Sequence, residues 1–282
     1  MNKTVKLYRI NIIFILIFYI LGWVSFTACK QEKGQEVKKT SVGPLFERLK
    51  SSQTGITFNN QLTETEELNA LIYDGIYTGG GCAALDVNND GLQDLIFISN
   101  QGPEKLYLNK GGFKFDDISK SAGIEGGNEW SGGVTVADVN ADGWDDIYIC
   151  NSFYLDPELR RNKLYINNKN NTFTNKAKEY GVDDPGFSTQ GTFFDYDLDG
   201  DLDLYVVNQP PNHTATRNAL MATNKPDFQY SDHLYRNNGN ETFTDVSVQA
   251  GIQNFAYGLS ATIGDFFNDG IPDIYVANDY EY

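Results

Sequence analysis

Asp86-Val-Asn-Asn-Asp-Gly-Leu-Gln-Asp94 is the first of four strings built on one pattern. The others are Asp138-Val-Asn-Ala-Asp-Gly-Trp-Asp-Asp146, Asp195-Tyr-Asp-Leu-Asp-Gly-Asp-Leu-Asp203 and Asp265-Phe-Phe-Asn-Asp-Gly-Ile-Pro-Asp273. Their first residues fall about 50 to 70 positions apart, the scale of one supersecondary unit in a repeat protein. Chance does not produce four copies of such a string. Working outward, each is preceded by a run of small and apolar residues: Gly79 to Leu85, Gly132 to Ala137, Gln190 to Phe194 and Leu259 to Gly264. Each is followed by a β-branched or aromatic run: Leu95 to Ile98, Ile147 to Cys150, Leu204 to Val207 and Ile274 to Ala277. Short apolar runs bounded by turn residues are strands.

Further on, Leu106-Tyr-Leu-Asn109, Leu164-Tyr-Ile-Asn167 and Leu234-Tyr-Arg-Asn237 each lead into a Gly/Asn turn. Phe113-Lys-Phe-Asp116, Phe173-Thr-Asn175 and Phe243-Thr-Asp245 follow those turns. One unit therefore reads strand, acidic loop, strand, connector, strand, turn, strand. Four antiparallel strands in about 50 to 60 residues make a propeller blade. A lone blade cannot bury both faces of its sheet, so blades stack around an axis. The expected fold is all-β: a β-propeller of four-stranded blades over 54–282, an incomplete ring of about four, the last blade truncated.

The acidic loops point to calcium. Oxygens at loop positions 1, 3 and 5 converge when the chain turns tightly, and glycine at position 6 permits the turn. Those positions hold Asp86, Asn88 and Asp90; Asp138, Asn140 and Asp142; and Asp195, Asp197 and Asp199. An EF-hand needs glutamate at position 12, where this chain has Phe97, Ile149, Val206 and Val276. Each loop closes instead with aspartate at position 9: Asp94, Asp146, Asp203 and Asp273. The expected ligand set is completed by these side chains and by the position-7 carbonyl of Leu92, Trp144 or Asp201. The fourth loop keeps Asp265, Asp269 and Asp273 but has Phe267 where an oxygen is needed, so three calcium sites are expected and a weaker fourth. The alternative is an Asp/Asn/Gly hairpin with no ion.

These loops, with their Gly-rich strands and the Leu-Tyr-x-Asn and Phe-x-Asp elements, resemble FG-GAP/VCBS repeats, which build the propeller of integrin alpha chains. With Ala122-Gly-Ile124 and Ala250-Gly-Ile252 included, the string is similar to bacterial relatives of cartilage acidic protein, which often carry an ASPIC/UnbV domain. The resemblance implies structural calcium in the loop between the first two strands of a blade. A chain that stops at Tyr282, just after the strand following the fourth loop, is expected to be a fragment of a longer protein.

The amino terminus suggests a compartment. Lys3, Lys6 and Arg9 precede an apolar run from Ile10 to Phe26, then Thr27, Ala28 and Cys29. This reads as a secretion signal over 1–28, and Phe26-Thr-Ala-Cys29 resembles a lipoprotein box in which Cys29 is lipidated. An uncleaved membrane anchor is the alternative. Residues 29–53 then form a lipidated cysteine and a flexible tether, whose charged start resembles surface-export signals of Bacteroidetes lipoproteins. The expected location is the bacterial outer membrane, facing outward.

A net charge of −16 excludes nucleic acid as a partner, because phosphates call for Lys and Arg. Binding of a protein or glycan is the leading function. The long loop from Gln209 to Asp232 (with Pro210, Pro211, His213, Arg217 and Met221) and the aromatics Trp130, Trp144, Phe153 and Tyr154 are candidate contact residues, the aromatics equally readable as blade packing. The alternative is a polysaccharide hydrolase or lyase. No Gly-x-Ser-x-Gly motif occurs, and His213 and His233 read as solvated loop residues. Cys82 and Cys150 read as two buried thiols.

Overall fold

The computed structural model of the chain describes residues 45–124, 126–127, 129–211, 230–252 and 254–279. Cys29, the signal and most of the tether lie outside these residues, as do His213, Arg217 and Met221. Two compact units divide the chain, Met1–Arg48 and Leu49–Tyr282. Of the first, only 45–48 are described, and all four are exposed. Every element below belongs to the second.

Three four-stranded sheets and one two-stranded sheet follow one another along the chain. The first holds β1 (Cys82–Leu85), β2 (Asp94–Phe97), β3 (Lys105–Asn109) and β4 (Phe115–Asp117). The second holds β5 (Trp130–Ala137), β6 (Asp146–Ser152), β7 (Lys163–Asn167) and β8 (Phe173–Asn175). The third holds β9 (Ser188–Phe194), β10 (Asp203–Asn208), β11 (His233–Asn237) and β12 (Phe243–Asp245). The fourth pairs β13 (Gly258–Gly264) with β14 (Asp273–Asn278). Strands neighbour one another in chain order and are antiparallel throughout. Each acidic loop joins the first two strands of a sheet, and its ends are clamped by pairing: Leu85 faces Asp94, Ala137 faces Asp146, Phe194 faces Asp203 and Gly264 faces Asp273.

The sheets stack through their first strands, β1 against β5, β5 against β9 and β9 against β13. That is the arrangement of propeller blades, with the first strand of each nearest the axis. Glycine makes the approach possible. A Cβ at Gly133 of β5 would overlap the Thr189 carbonyl of β9. Between blades lies the core. Strand β6 is buried along its whole length because both of its faces are covered. Ile147 and Ile149 join Ile96 and Ile98 of the first sheet, while Tyr148 and Cys150 join Leu204 and Val206 of the third. Alternation along a strand sends successive side chains to opposite faces, so one apolar run serves two interfaces. Beyond the fourth sheet the stack does not close among the described residues, and Phe266, Phe267 and Tyr275 are exposed.

A turn of helix follows the last strand of each full blade, at Ser119–Ala122, Ala177–Tyr180 and Ser247–Ala250. Each ends on a left-handed glycine, Gly123, Gly181 or Gly251, which caps the helix and turns Ile124 or Val182 into the core. The Ala-Gly-Ile strings are the sequence trace of this device; Tyr180-Gly-Val182 is the same device in different residues.

Three expectations need correction. In the first sheet Asn109 faces Phe115, as Asn167 faces Phe173. The counterpart of Phe173-Thr-Asn175 is therefore Phe115-Asp-Asp117, and Phe113 sits exposed in the turn at φ 58°. Cys82 is exposed rather than buried; Cys150 is buried, which pushes its thiol pKa up, and neither forms a disulfide. His233 is not a solvated loop residue. It begins β11, and its Nδ1 lies 2.6 Å from the buried Asp184 carboxylate.

Candidate metal centres

Every acidic loop adopts the same turn. Position 4 is left-handed in all four, at Asn89, Ala141, Leu198 and Asn268, with φ of 53 to 61°. Position 6 is a left-handed glycine, with φ of 83 to 97° at Gly91, Gly143, Gly200 and Gly270. Two left-handed residues so close together curl the chain inward. The position-1 carboxylate then accepts the N–H groups of positions 5 and 6: Asp86 from Asp90 and Gly91, Asp138 from Asp142 and Gly143, Asp195 from Asp199 and Gly200, and Asp265 from Asp269 and Gly270. Position 5 accepts from position 7, so the N–H groups of Leu92, Trp144, Asp201 and Ile271 bond Asp90, Asp142, Asp199 and Asp269. In the first two loops the position-3 amide oxygens of Asn88 and Asn140 also accept from position 5. The loop N–H groups are thus taken up by the side-chain oxygens at positions 1 and 5, and in the first two loops by that at position 3 as well.

The structure gathers three carboxylates most closely in the third loop. Oxygens of Asp195, Asp197 and Asp203 all lie within 4.8 Å of one another, the only such acidic group among the described residues. Asp199 stands outside it. The first two loops have asparagine at position 3, and their three carboxylates, Asp86, Asp90 and Asp94 in one and Asp138, Asp142 and Asp146 in the other, do not all meet within that distance. In the fourth, Phe267 is 79% exposed and offers no oxygen.

Position 9 does more than line the loop. One oxygen of Asp94 accepts from Val87 N at 2.8 Å and the other from Asn109 N at 2.6 Å. Asp146 does the same for Val139 and Asn167, and Asp203 for Tyr196 and Asn237. These aspartates staple the start of the loop to the end of the third strand. All three are buried. Burial, added to by the other loop carboxylates, pushes Asp146 up to about 7 and Asp203 up to about 6, and raises Asp94 as well. A hard divalent cation fits this donor set: every donor is oxygen, several are charged, and their mutual repulsion is otherwise unrelieved.

The loops also touch one another. Asp86 N donates to Asp145 Oδ2 at 2.8 Å, and Asn89 Nδ2 donates to the Gly143 carbonyl at 2.9 Å. Asn167 Nδ2 bridges the carbonyls of Val87 and Asp145. Asn237 Nδ2 likewise bridges Val139 and Leu202. The asparagine that closes Leu-Tyr-x-Asn in one blade therefore holds its own acidic loop to that of the preceding blade. Spacing within one repeat does not show a contact made between repeats.

Of the aromatic candidates, Trp130 and Phe153 are buried and packed on Tyr73, and Tyr154 packs on Phe153. Trp144 is half-buried in its loop. Asp184, missed in the sequence, accepts from Gly186 N and Tyr235 Oη as well as facing His233. Burial opposes its charge, but these bonds together hold its pKa below the usual carboxylate value.

Comparison with known proteins gives a consistent picture. A model of the FG-GAP-like repeat matches residues 86–149, 153–206 and 220–276, together more than half of the chain. Cartilage acidic protein 1 of Homo sapiens is 24% identical over 207 residues, which are 72% of this chain and 28% of that protein. The Mus musculus protein of the same name is 24% identical over 207 residues, 72% of this chain and 29% of its own length. The Xenopus tropicalis one is 39% identical over 72 residues, 25% of this chain and 11% of its own. The chain thus spans less than a third of the length of these relatives.

Proposed function

Because the chain belongs to the FG-GAP-like repeat family, we propose that it is a calcium-stabilised binding module of the bacterial cell envelope. In this reading a lipid on Cys29 holds it to the outer membrane, and it recognises a protein or glycan partner without turning over a substrate. The observation that carries the reading is the convergence of Asp195, Asp197 and Asp203 within one loop of a turn repeated in every blade. Calcium there would be held by Asp195, Asp197, Asp199, Asp203 and the Asp201 carbonyl. In the first two loops the ligands would be Asp86, Asn88, Asp90, Asp94 and the Leu92 carbonyl, and Asp138, Asn140, Asp142, Asp146 and the Trp144 carbonyl. The ion supplies charge compensation, letting buried carboxylates stay ionised. The basic start, apolar run and Cys29 support the envelope location. Binding is favoured over hydrolysis because the repeat carboxylates are committed to the loops and Asp184 is sealed beneath His233 and Tyr235.

Ions that bind only the folded blades stabilise them by mass action, about 2.7 kcal/mol per site at a hundredfold excess over the dissociation constant. Stripping the protein with EDTA should lower its melting temperature, and calcium should restore it better than magnesium, which demands a stricter octahedron. A melting curve indifferent to both treatments would overturn the reading.

A further inference from the structure

At the ends of the inner strands remote from the acidic loops lies a cavity of about 470 Å³, within the roughly 300–1,000 Å³ of small-ligand sites. Strand β5 runs from Trp130 at this cavity to Ala137 at its acidic loop, about 23 Å at the rise of a strand. The cavity is thus separate from the metal centres. Four blades contribute to it. Tyr73 and Gly79 come from the segment before β1, Trp130 and Ser152 from the second sheet, Ser188 and Gln209 from the third, and Tyr257 and Asp279 from the fourth.

The lining includes a buried hydroxyl without a hydrogen-bond partner. Ser152 Oγ is buried and makes no hydrogen bond of ordinary geometry, although it lies near enough to the Tyr73 phenol to offset slightly the burial that raises that pKa to about 12. Gln209 is 7% exposed; its backbone N–H donates to Phe187, and its side-chain amide adds a polar group to the lining. A buried polar group without a partner costs stability, so the Ser152 hydroxyl facing this cavity marks a place where something else is bound. The floor is open: a Cβ at Gly79 would meet nothing within 4 Å, and one at Gly132 only the Ser188 carbonyl at 4.0 Å.

The geometry points to a neutral saccharide unit as the occupant, which rests on the reading of the chain as a binding module and specifies its ligand. A hydroxyl and a primary amide both donate and accept, the mixed set that sugar hydroxyls require. The edges of Trp130, Tyr73 and Tyr257 and the half-exposed Leu259 offer apolar wall to the C–H groups of a sugar ring. An anion would meet Asp279, the one charged group among the described lining residues, and a net charge of −16. A cation would find a single carboxylate at the rim and no cage of oxygens.

The full calcium-loaded chain should be titrated with glucose, galactose, mannose, N-acetylglucosamine and short neutral oligomers of each. Glucuronic acid and a lysine-rich peptide serve as charged probes, and binding is read by calorimetry and saturation-transfer NMR. A neutral sugar should bind, and Gln209→Leu and Asp279→Asn should each weaken it about tenfold, one lost hydrogen bond, with the melting temperature unchanged. Absence of binding by every neutral sugar, sugar binding that survives both variants, or preferential binding of either charged probe would overturn the assignment. Calcium-dependent melting in the same samples tests the calcium reading separately. Stabilisation by calcium without sugar binding would remove only this inference, whereas sugar binding by a calcium-indifferent protein would remove only the other.

Discussion

Asp146 carries a conflict that its neighbours cannot resolve. It is buried, its two oxygens already accept from Val139 and Asn167, and Asp138 and Asp142 lie close by. In the ion-free protein its pKa is pushed up to about 7, and that of Asp203 up to about 6, against about 3.9 in an unfolded chain. Between about pH 4 and 7 the native state therefore binds more protons than the unfolded one, and stability falls as pH rises through that window. Metal-stripped protein should melt at progressively lower temperature from pH 5 to 7.5. Saturating calcium should flatten or reverse this trend, because the ion favours the deprotonated form. Differential scanning calorimetry at several pH values, with and without calcium, reads both slopes. The turn itself was legible in the sequence, because glycine at position 6 and oxygen acceptors at 1 and 5 are what its geometry uses. The staple made by position 9 was not, since its partners lie on another strand.

At the level of elements, the loop of one blade is fastened to the next by an asparagine that the repeat pattern presents only as a turn residue. Asn167→Ala removes both bonds from its amide and leaves the carbonyls of Val87 and Asp145 short of a donor. A cost of about 1–3 kcal/mol is expected, measured by urea denaturation of the calcium-free protein. Asn109 is the control. Its Nδ2 donates only to the Gln93 carbonyl and its Oδ1 accepts from Gly111 N, both within its own blade, so Asn109→Ala should cost less. The strands themselves were readable, because each is a short apolar run between turn residues. In the last strand of the first blade Phe113 and Phe115 both fit the sequence pattern, and only the left-handed backbone at Phe113 separates them. The pairing of His233 with Asp184 was hidden for another reason. The two residues are far apart in sequence and no motif joins them.

For the whole molecule, the stacking of blades followed from the sequence because each unit offers apolar residues on both faces of its second strand. The cavity between four blades did not, since its lining is drawn from segments between Tyr73 and Asp279 that share no local pattern. The tightest packing is at the inner strands. Gly133→Ala places a methyl against the Thr189 backbone, and overpacking of this kind costs about 1–3 kcal/mol or more. Gly127→Ala, where a Cβ meets nothing within 4 Å, should be nearly neutral in the same denaturation experiment. Gly258 of β13 against Val207 of β10 repeats the constraint between the third and fourth sheets. An array of this kind that grows by gene duplication is therefore gated at its narrowest radius. A new copy is admitted only if its innermost segment stays bare of side chains at these crossings, while its peripheral segments are free to diverge.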